Sequence, residues 1–169
     1  MARYVLLRRV WKKPVDAEHL NRWLTLAANL GVVAGIGLLI LELAQNQEMM
    51  RAQTRHDISQ GIVELLLVPA TDGELSDIMY RGKVGDELSP PERFRLNLRI
   101  NALLRYWEDV HYQFRSGLYD EEEFVKQREA WRAALNNDAG IRTYWCDSRA
   151  LYADAFSREM DALLAGDAC

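Results

Sequence analysis

Residues 23–41, WLTLAANLGVVAGIGLLIL, decide the predicted fold, because these nineteen residues include no charged side chain. An α-helix of this length, rising about 1.5 Å per residue, extends roughly the 30 Å of a bilayer's hydrocarbon core. Trp23 lies at one end, where an amphipathic ring favours the headgroup level, and Arg22 and Glu42 bound the stretch. The stretch therefore predicts a transmembrane helix.

Two alternatives compete with this prediction, a buried core helix of a soluble protein and a cleavable signal peptide. A core helix usually carries a polar face, and this stretch offers only Thr25 and Asn29. A signal peptide has a shorter apolar region and a small-residue cleavage site, whereas residues 42–46 read ELAQN. We therefore expect an uncleaved signal anchor.

The charges on either side of the stretch predict its orientation. Residues 1–22 contain six basic and two acidic side chains, whereas the twenty residues after the stretch contain only two basic ones, Arg51 and Arg55. Basic flanks stay in the cytoplasm, so we expect a cytoplasmic amino terminus and a periplasmic remainder. That remainder has 15 basic and 23 acidic residues. Its negative charge argues against a nucleic-acid partner.

The sequence predicts three regions. Residues 1–15 form a basic amphipathic segment that fits the headgroup plane, with a frayed basic tail as the alternative. Residues 16–44 form the transmembrane helix, and residues 45–169 form an extramembrane helical domain. The composition of the 169 residues, 49% hydrophobic and 27% charged, excludes a disordered chain.

Helix start and stop signals indicate the architecture of the C-terminal domain. Ser89 and Glu92 fit a capping box, Gly117 fits the end of the same helix, and Asp120 fits the start of the next. Further helices are predicted over residues 44–66, 74–81 and 141–165, with a turn at residues 69–73. No long stretch alternates with the period of a strand. The predicted fold is all-α, a single N-terminal transmembrane helix continuing into a bundle of three or four helices.

The pattern of motifs resembles a group of small bacterial membrane proteins with one N-terminal transmembrane helix and a C-terminal helical domain. The resemblance covers about residues 23–164. The residues that carry it are Gln45, Asn46, Arg51, Ala52, Gln53, Glu108, Tyr112, Arg115, Gly117, Leu118 and Asp120. It implies this architecture and the bacterial inner membrane, but it supplies no catalytic or binding residues.

Few residues in the domain suggest chemistry. Glu108-x-x-His111 has the spacing of one metal-binding element of di-iron bundles, but no second such element follows, so we expect no metal and no other cofactor. The histidines stand apart, and no catalytic motif occurs, so we do not expect an enzyme. Two cysteines are too few for a disulfide-stapled scaffold, and Cys146 is expected to be a small packed residue. Pairing with Cys169, or a bridge between chains, is the alternative.

The strongest functional signal lies within the predicted transmembrane helix. Ala27, Gly31 and Gly35 recur every four residues, and Gly31-x-x-x-Gly35 is a motif for close helix approach. Asn29 is an amide that needs a partner inside hydrocarbon. The alternative is a span with an ordinary content of alanine and glycine.

These features predict an interaction or accessory subunit of a membrane complex, or a homo-oligomer, without catalysis of its own. Its expected partners are membrane lipids and either another membrane protein or a second copy, bound through the transmembrane helix. The alternative is a membrane-anchored sensor domain that binds a ligand or a metal.

Overall fold

The computed structural model describes residues 16–166 and 169, and all regular elements in this part of the chain are helical. The prediction of an all-α fold is confirmed. The basic segment predicted for residues 1–15 lies outside the described residues. The elements are α1 (Ala17–Thr71), α2 (Gly73–Val84), α3 (Pro90–Arg115), α4 (Glu121–Asn137), α5 (Ala139–Ser148), a 3₁₀ turn (Arg149–Leu151) and α6 (Asp154–Asp161).

The chain divides into two compact units, Met1–Asn46 and Gln47–Cys169. The described part of the first unit is helical and includes the apolar stretch of residues 23–41, in which no residue is buried. One helix of the described residues, α1, is long and apolar enough to span a membrane, and the stretch lies near the N-terminus. Within this unit the hydroxyl of Thr25 donates to the Asn21 carbonyl (2.9 Å), so Thr25 needs no external partner.

The second unit contains a hydrophobic core arranged around α3, which contacts α2, α4, α5 and α6. Aromatic rings fill its centre: Trp107 stacks on Trp131 with 5.5 Å between ring centroids, and Phe156 meets Trp131 and Trp145 edge-on. Such aromatic pairs add about 0.5–1.5 kcal/mol each beyond the burial of their area. Among its described residues, five helices and the end of α1 build this unit, more than the predicted three or four.

The turn predicted at residues 69–73 is wrong in its first part, because α1 continues to Thr71 with Pro69 inside it. Proline has no N–H, so the carbonyl of Leu65 loses the donor that residue 69 normally supplies. Arg99 on α3 replaces that donor through its Nη2. The chain turns at Asp72, whose carboxylate caps α2.

The helix signals around α3 and α4 are confirmed. The Glu92 carboxylate accepts hydrogen bonds from the backbone N–H (2.8 Å) and hydroxyl (2.7 Å) of Ser89. These bonds, with the guanidinium of Arg81, lower the pKa of Glu92 to about 2. Gly117 has a φ of 73°, which suits glycine after a helix C-terminus. Asp120 accepts from the first backbone N–H groups of α4.

The continuous helix predicted over residues 141–165 is wrong, because the chain breaks at Arg149–Leu151 before α6 begins. No glycine or proline marks the break, and contacts from α3 hold it. Arg105 donates to the Leu151 carbonyl (3.0 Å), and its guanidinium lies 4.3 Å above the ring of Tyr152. The buried ring of Tyr152 lies against Trp145, with 5.4 Å between the ring centroids.

Candidate functional site

The three small residues singled out in the apolar stretch share one face of α1. Ala27, Gly31 and Gly35 are four residues apart, and such positions lie one above another on an α-helix. A Cβ added at Gly31 or Gly35 would meet no atom within 4 Å. Among the described residues nothing covers this strip, which we call the glycine face.

Asn29 lies on a different side of the helix from the glycine face. It is two residues from Gly31, and two residues correspond to about 200° of rotation around an α-helix. The Asn29 amide is exposed and has no hydrogen-bond partner among the residues described. A single neighbouring helix that packs on the glycine face therefore does not satisfy Asn29.

Glu108 is engaged in holding the start of α6. Its Oε1 accepts from the backbone N–H of Ala153, and its Oε2 accepts from Nη1 of Arg105, both at 2.7 Å. Ala153 is the residue that precedes the first turn of α6. The carboxylate thus serves as a cap supplied from another helix.

His111 is buried one turn away, with its ring 5.8 Å from that of Phe156 and 6.1 Å from that of Phe124. Burial lowers the pKa of His111, and Arg115 lowers it further, while Glu159 and Glu108 oppose the shift. In the part of the chain that the structure describes, no three His, Cys, Asp or Glu side chains are grouped to hold a metal ion.

Two of the residues that carry the family resemblance meet in space. Nε of Arg51, on α1, donates to the carbonyl of Gly117 (3.1 Å), in the turn between α3 and α4. Arg55, one turn further along α1, forms an ion pair with Glu123 (2.6 Å). These contacts fasten the turn to α1. Sequence reasoning missed them because 66 residues separate Arg51 from Gly117.

The two cysteines form a disulfide, Cys146–Cys169, between α5 and the last residue of the sequence. The expectation that Cys146 is only a packed residue is therefore wrong, and the pairing held as the alternative is present. Asn136 on α4 holds the same segment, since its side-chain amide donates to the Leu163 carbonyl and accepts from the Ala165 N–H, both at 2.9 Å. Leu163 and Ala165 are thus fixed to α4, and Cys169 is fixed to α5.

An open groove of about 520 Å³ lies in the second unit, between the end of α1 and α3. We call it the α1–α3 groove. Its walls are mostly apolar, from Leu65, Val68, Leu75 and Leu98, and Arg99 lies along it. Sequence reasoning did not find it, because its two walls come from helix segments about 34 residues apart in the chain.

Comparison with protein-family models, with curated proteins and with solved structures gave no match. The resemblance to small bacterial membrane proteins therefore stays a prediction.

Proposed function

We propose that this chain is a single-pass protein of the bacterial inner membrane that acts as an interaction or accessory subunit of a membrane complex, or as a homo-oligomer. In this proposal the second unit is periplasmic and has no catalytic role. The observation that carries it is the exposed apolar surface of α1 over residues 23–41.

The cost of leaving this surface in water supports a membrane location. Eleven large apolar side chains in the stretch are half or more exposed. Transfer of a fully exposed side chain of this kind from water is worth about 1.5–3 kcal/mol, so the set is worth on the order of 10–20 kcal/mol. The backbone is already hydrogen-bonded within the helix, as a lipid environment requires.

Two independent features support the proposed orientation. The basic residues before the stretch favour a cytoplasmic amino terminus. The disulfide Cys146–Cys169 lies in the second unit, and disulfides persist in the periplasm but are rare in the cytosol. Both features support a periplasmic location for the second unit.

The glycine face supports association through the membrane. Between helices in lipid there is little hydrophobic driving force, so small residues that allow backbones to approach closely are the usual contact. Gly31 and Gly35 present such a surface, and nothing in the first unit's described residues covers it. A second copy or another single helix fits this strip.

The association is tested on labelled full-length chains in membranes, either by crosslinking that does not use cysteines or by energy transfer between chains. Gly31→Leu and Gly35→Leu are expected to abolish it, because each Leu separates the two backbones. Gly37→Leu is the matched control, since Gly37 lies in the same stretch, is equally uncovered, and is off the glycine face. Equal association in all three variants, or a wild-type chain that is always alone, would count against the proposal.

The metal-binding form of the sensor alternative has no observation in its favour. Both carboxylate oxygens of Glu108 are occupied by protein donors, and His111 lies between aromatic rings.

A further inference from the structure

Arg99 is a half-buried cation whose guanidinium has an incomplete set of hydrogen bonds. Its Nη2 donates to the carbonyl of Leu65, which Pro69 leaves without a helical donor. Its Nε and Nη1 are enclosed by protein atoms and have no acceptor among the described residues. Unpartnered buried donors are uncommon in folded chains, and an unpartnered charged donor costs more folding free energy than a neutral one.

The other charged residues of the groove do not compensate Arg99. Arg95, nearby on α3, is paired with Asp72 (3.0 Å) and Glu74 (2.8 Å). Glu64 lines the groove but is exposed, and its Oε1 accepts from Gln60 (2.9 Å). Burial lowers the pKa of Arg99 with no carboxylate opposing the shift. Among the described residues, Arg99 is therefore a cation of the groove with no carboxylate partner.

The walls beside this charge are apolar and open. Leu98 and Val68 are each more than half exposed, and Leu65 and Leu75 continue the surface inward. A volume of about 520 Å³ is within the range of small-molecule sites, roughly 300–1,000 Å³. A hydrocarbon chain fits these walls, and an anionic group at its end fits the guanidinium.

We propose that the α1–α3 groove binds a free fatty acid, with its carboxylate hydrogen-bonded to Arg99 and its hydrocarbon chain on Leu65, Val68 and Leu98. A monoanion matches the single uncompensated cation, whereas Glu64 at the same groove disfavours a dianionic phosphate monoester. Nε and Nη1 are covered in this structure, so binding through them requires the guanidinium to turn toward the groove. This site does not depend on the proposed role in membrane association.

Testing Arg99 requires a background in which its removal does not disrupt α1. Pro69→Ala supplies one, because the alanine N–H restores the helical donor to the Leu65 carbonyl. In that background Arg99→Met removes the cation while keeping an apolar side chain of similar length. The unfolding curves of Pro69→Ala and Pro69→Ala/Arg99→Met are compared first to show that both chains fold.

The measurement is equilibrium dialysis of radiolabelled octanoate against the full chain in lipid nanodiscs, with empty nanodiscs subtracted. We expect saturable binding of one octanoate per chain to the wild type and Pro69→Ala, and at least tenfold weaker binding to Pro69→Ala/Arg99→Met. Glu64→Gln is expected to tighten binding, because it removes a repelling charge. Octylamine and octyl phosphate serve as headgroup controls and are expected to bind more weakly than octanoate.

Three results would overturn the proposal. The first is octanoate uptake no greater than that of empty nanodiscs, and the second is equal binding with and without Arg99. The third is tighter binding of octylamine or octyl phosphate than of octanoate. Loss of the glycine-face association leaves all of these readouts unchanged, so the two proposals fail separately.

Discussion

Replacing Glu108 separates a capping role from a metal-binding role. Glu108→Ala removes the acceptor for the Ala153 N–H and the partner of Arg105. Loss of a helix cap costs about 0.5–2 kcal/mol, and a partly exposed ion pair adds about 0–1 kcal/mol. We expect Glu108→Ala to lower the free energy of unfolding by about 1–2 kcal/mol. Glu108→Gln keeps a carbonyl oxygen for Ala153 and is expected to lose less than half as much.

Denaturant unfolding of the full chain in detergent, followed by tryptophan fluorescence, measures these changes because Trp107, Trp131 and Trp145 lie in the core. Hydrogen exchange localises them, and the amides of α6 are expected to exchange faster in Glu108→Ala than in Glu108→Gln. Wild-type stability is measured with zinc and with a chelator. The capping explanation is refuted if both variants lose equal stability, or if zinc stabilises the wild type and not Glu108→Gln.

Three further predictions concern the second unit. The Cys146–Cys169 disulfide closes a loop with a sequence separation of 23, so its reduction is expected to lower the free energy of unfolding by about 2–4 kcal/mol. Denaturant titration with and without reductant measures the change. An unchanged unfolding midpoint would contradict this prediction. The pKa of His111 is lowered in the folded chain, so the unfolded chain binds the proton more readily. Stability is therefore expected to fall as the pH drops below about 6.5, and His111→Leu to flatten that part of the stability–pH curve. Gly82→Ala would place a Cβ 2.3 Å from Cδ2 of Leu96 and is expected to destabilise the folded chain by about 1–3 kcal/mol, measured by thermal unfolding. Gly73→Ala is the control, because a Cβ there would meet no atom within 4 Å, and it is expected to change the stability little.

Features encoded within a few neighbouring residues could be predicted from the sequence. The capping residues Ser89 and Asp120 and the terminating Gly117 act within one turn, so their side chains and backbone preferences determine the helix ends. The exposed apolar part of α1 was likewise found from composition, because no partner segment is needed to define it.

Features that depend on contacts between distant residues could not be predicted. Pro69 normally ends a helix, whereas α1 continues to Thr71, and Arg99 on α3 supplies the donor that the Leu65 carbonyl loses. The break before α6 follows from Arg105 and Glu108 on α3, and nothing in residues 149–153 signals it. The α1–α3 groove was missed for the same reason.

The glycine face shows a different limit of prediction from the sequence. The sequence-based prediction grouped Asn29 with Ala27, Gly31 and Gly35 as one helix interface, because small residues allow close approach and an amide in hydrocarbon needs a partner. Helix geometry separates them, since Asn29 lies about 200° from Gly31. A partner for Asn29 is therefore a second contact rather than part of the same one.

Alkaline carbonate extraction of membranes from bacteria that express the full chain tests the central proposal most directly. If residues 23–41 cross the bilayer, the chain remains in the membrane pellet, and a variant with Val33→Arg and Ile36→Asp is released in larger amount. Recovery of the wild-type chain in the supernatant, dispersed without detergent, would contradict the membrane location and the association proposed through the glycine face.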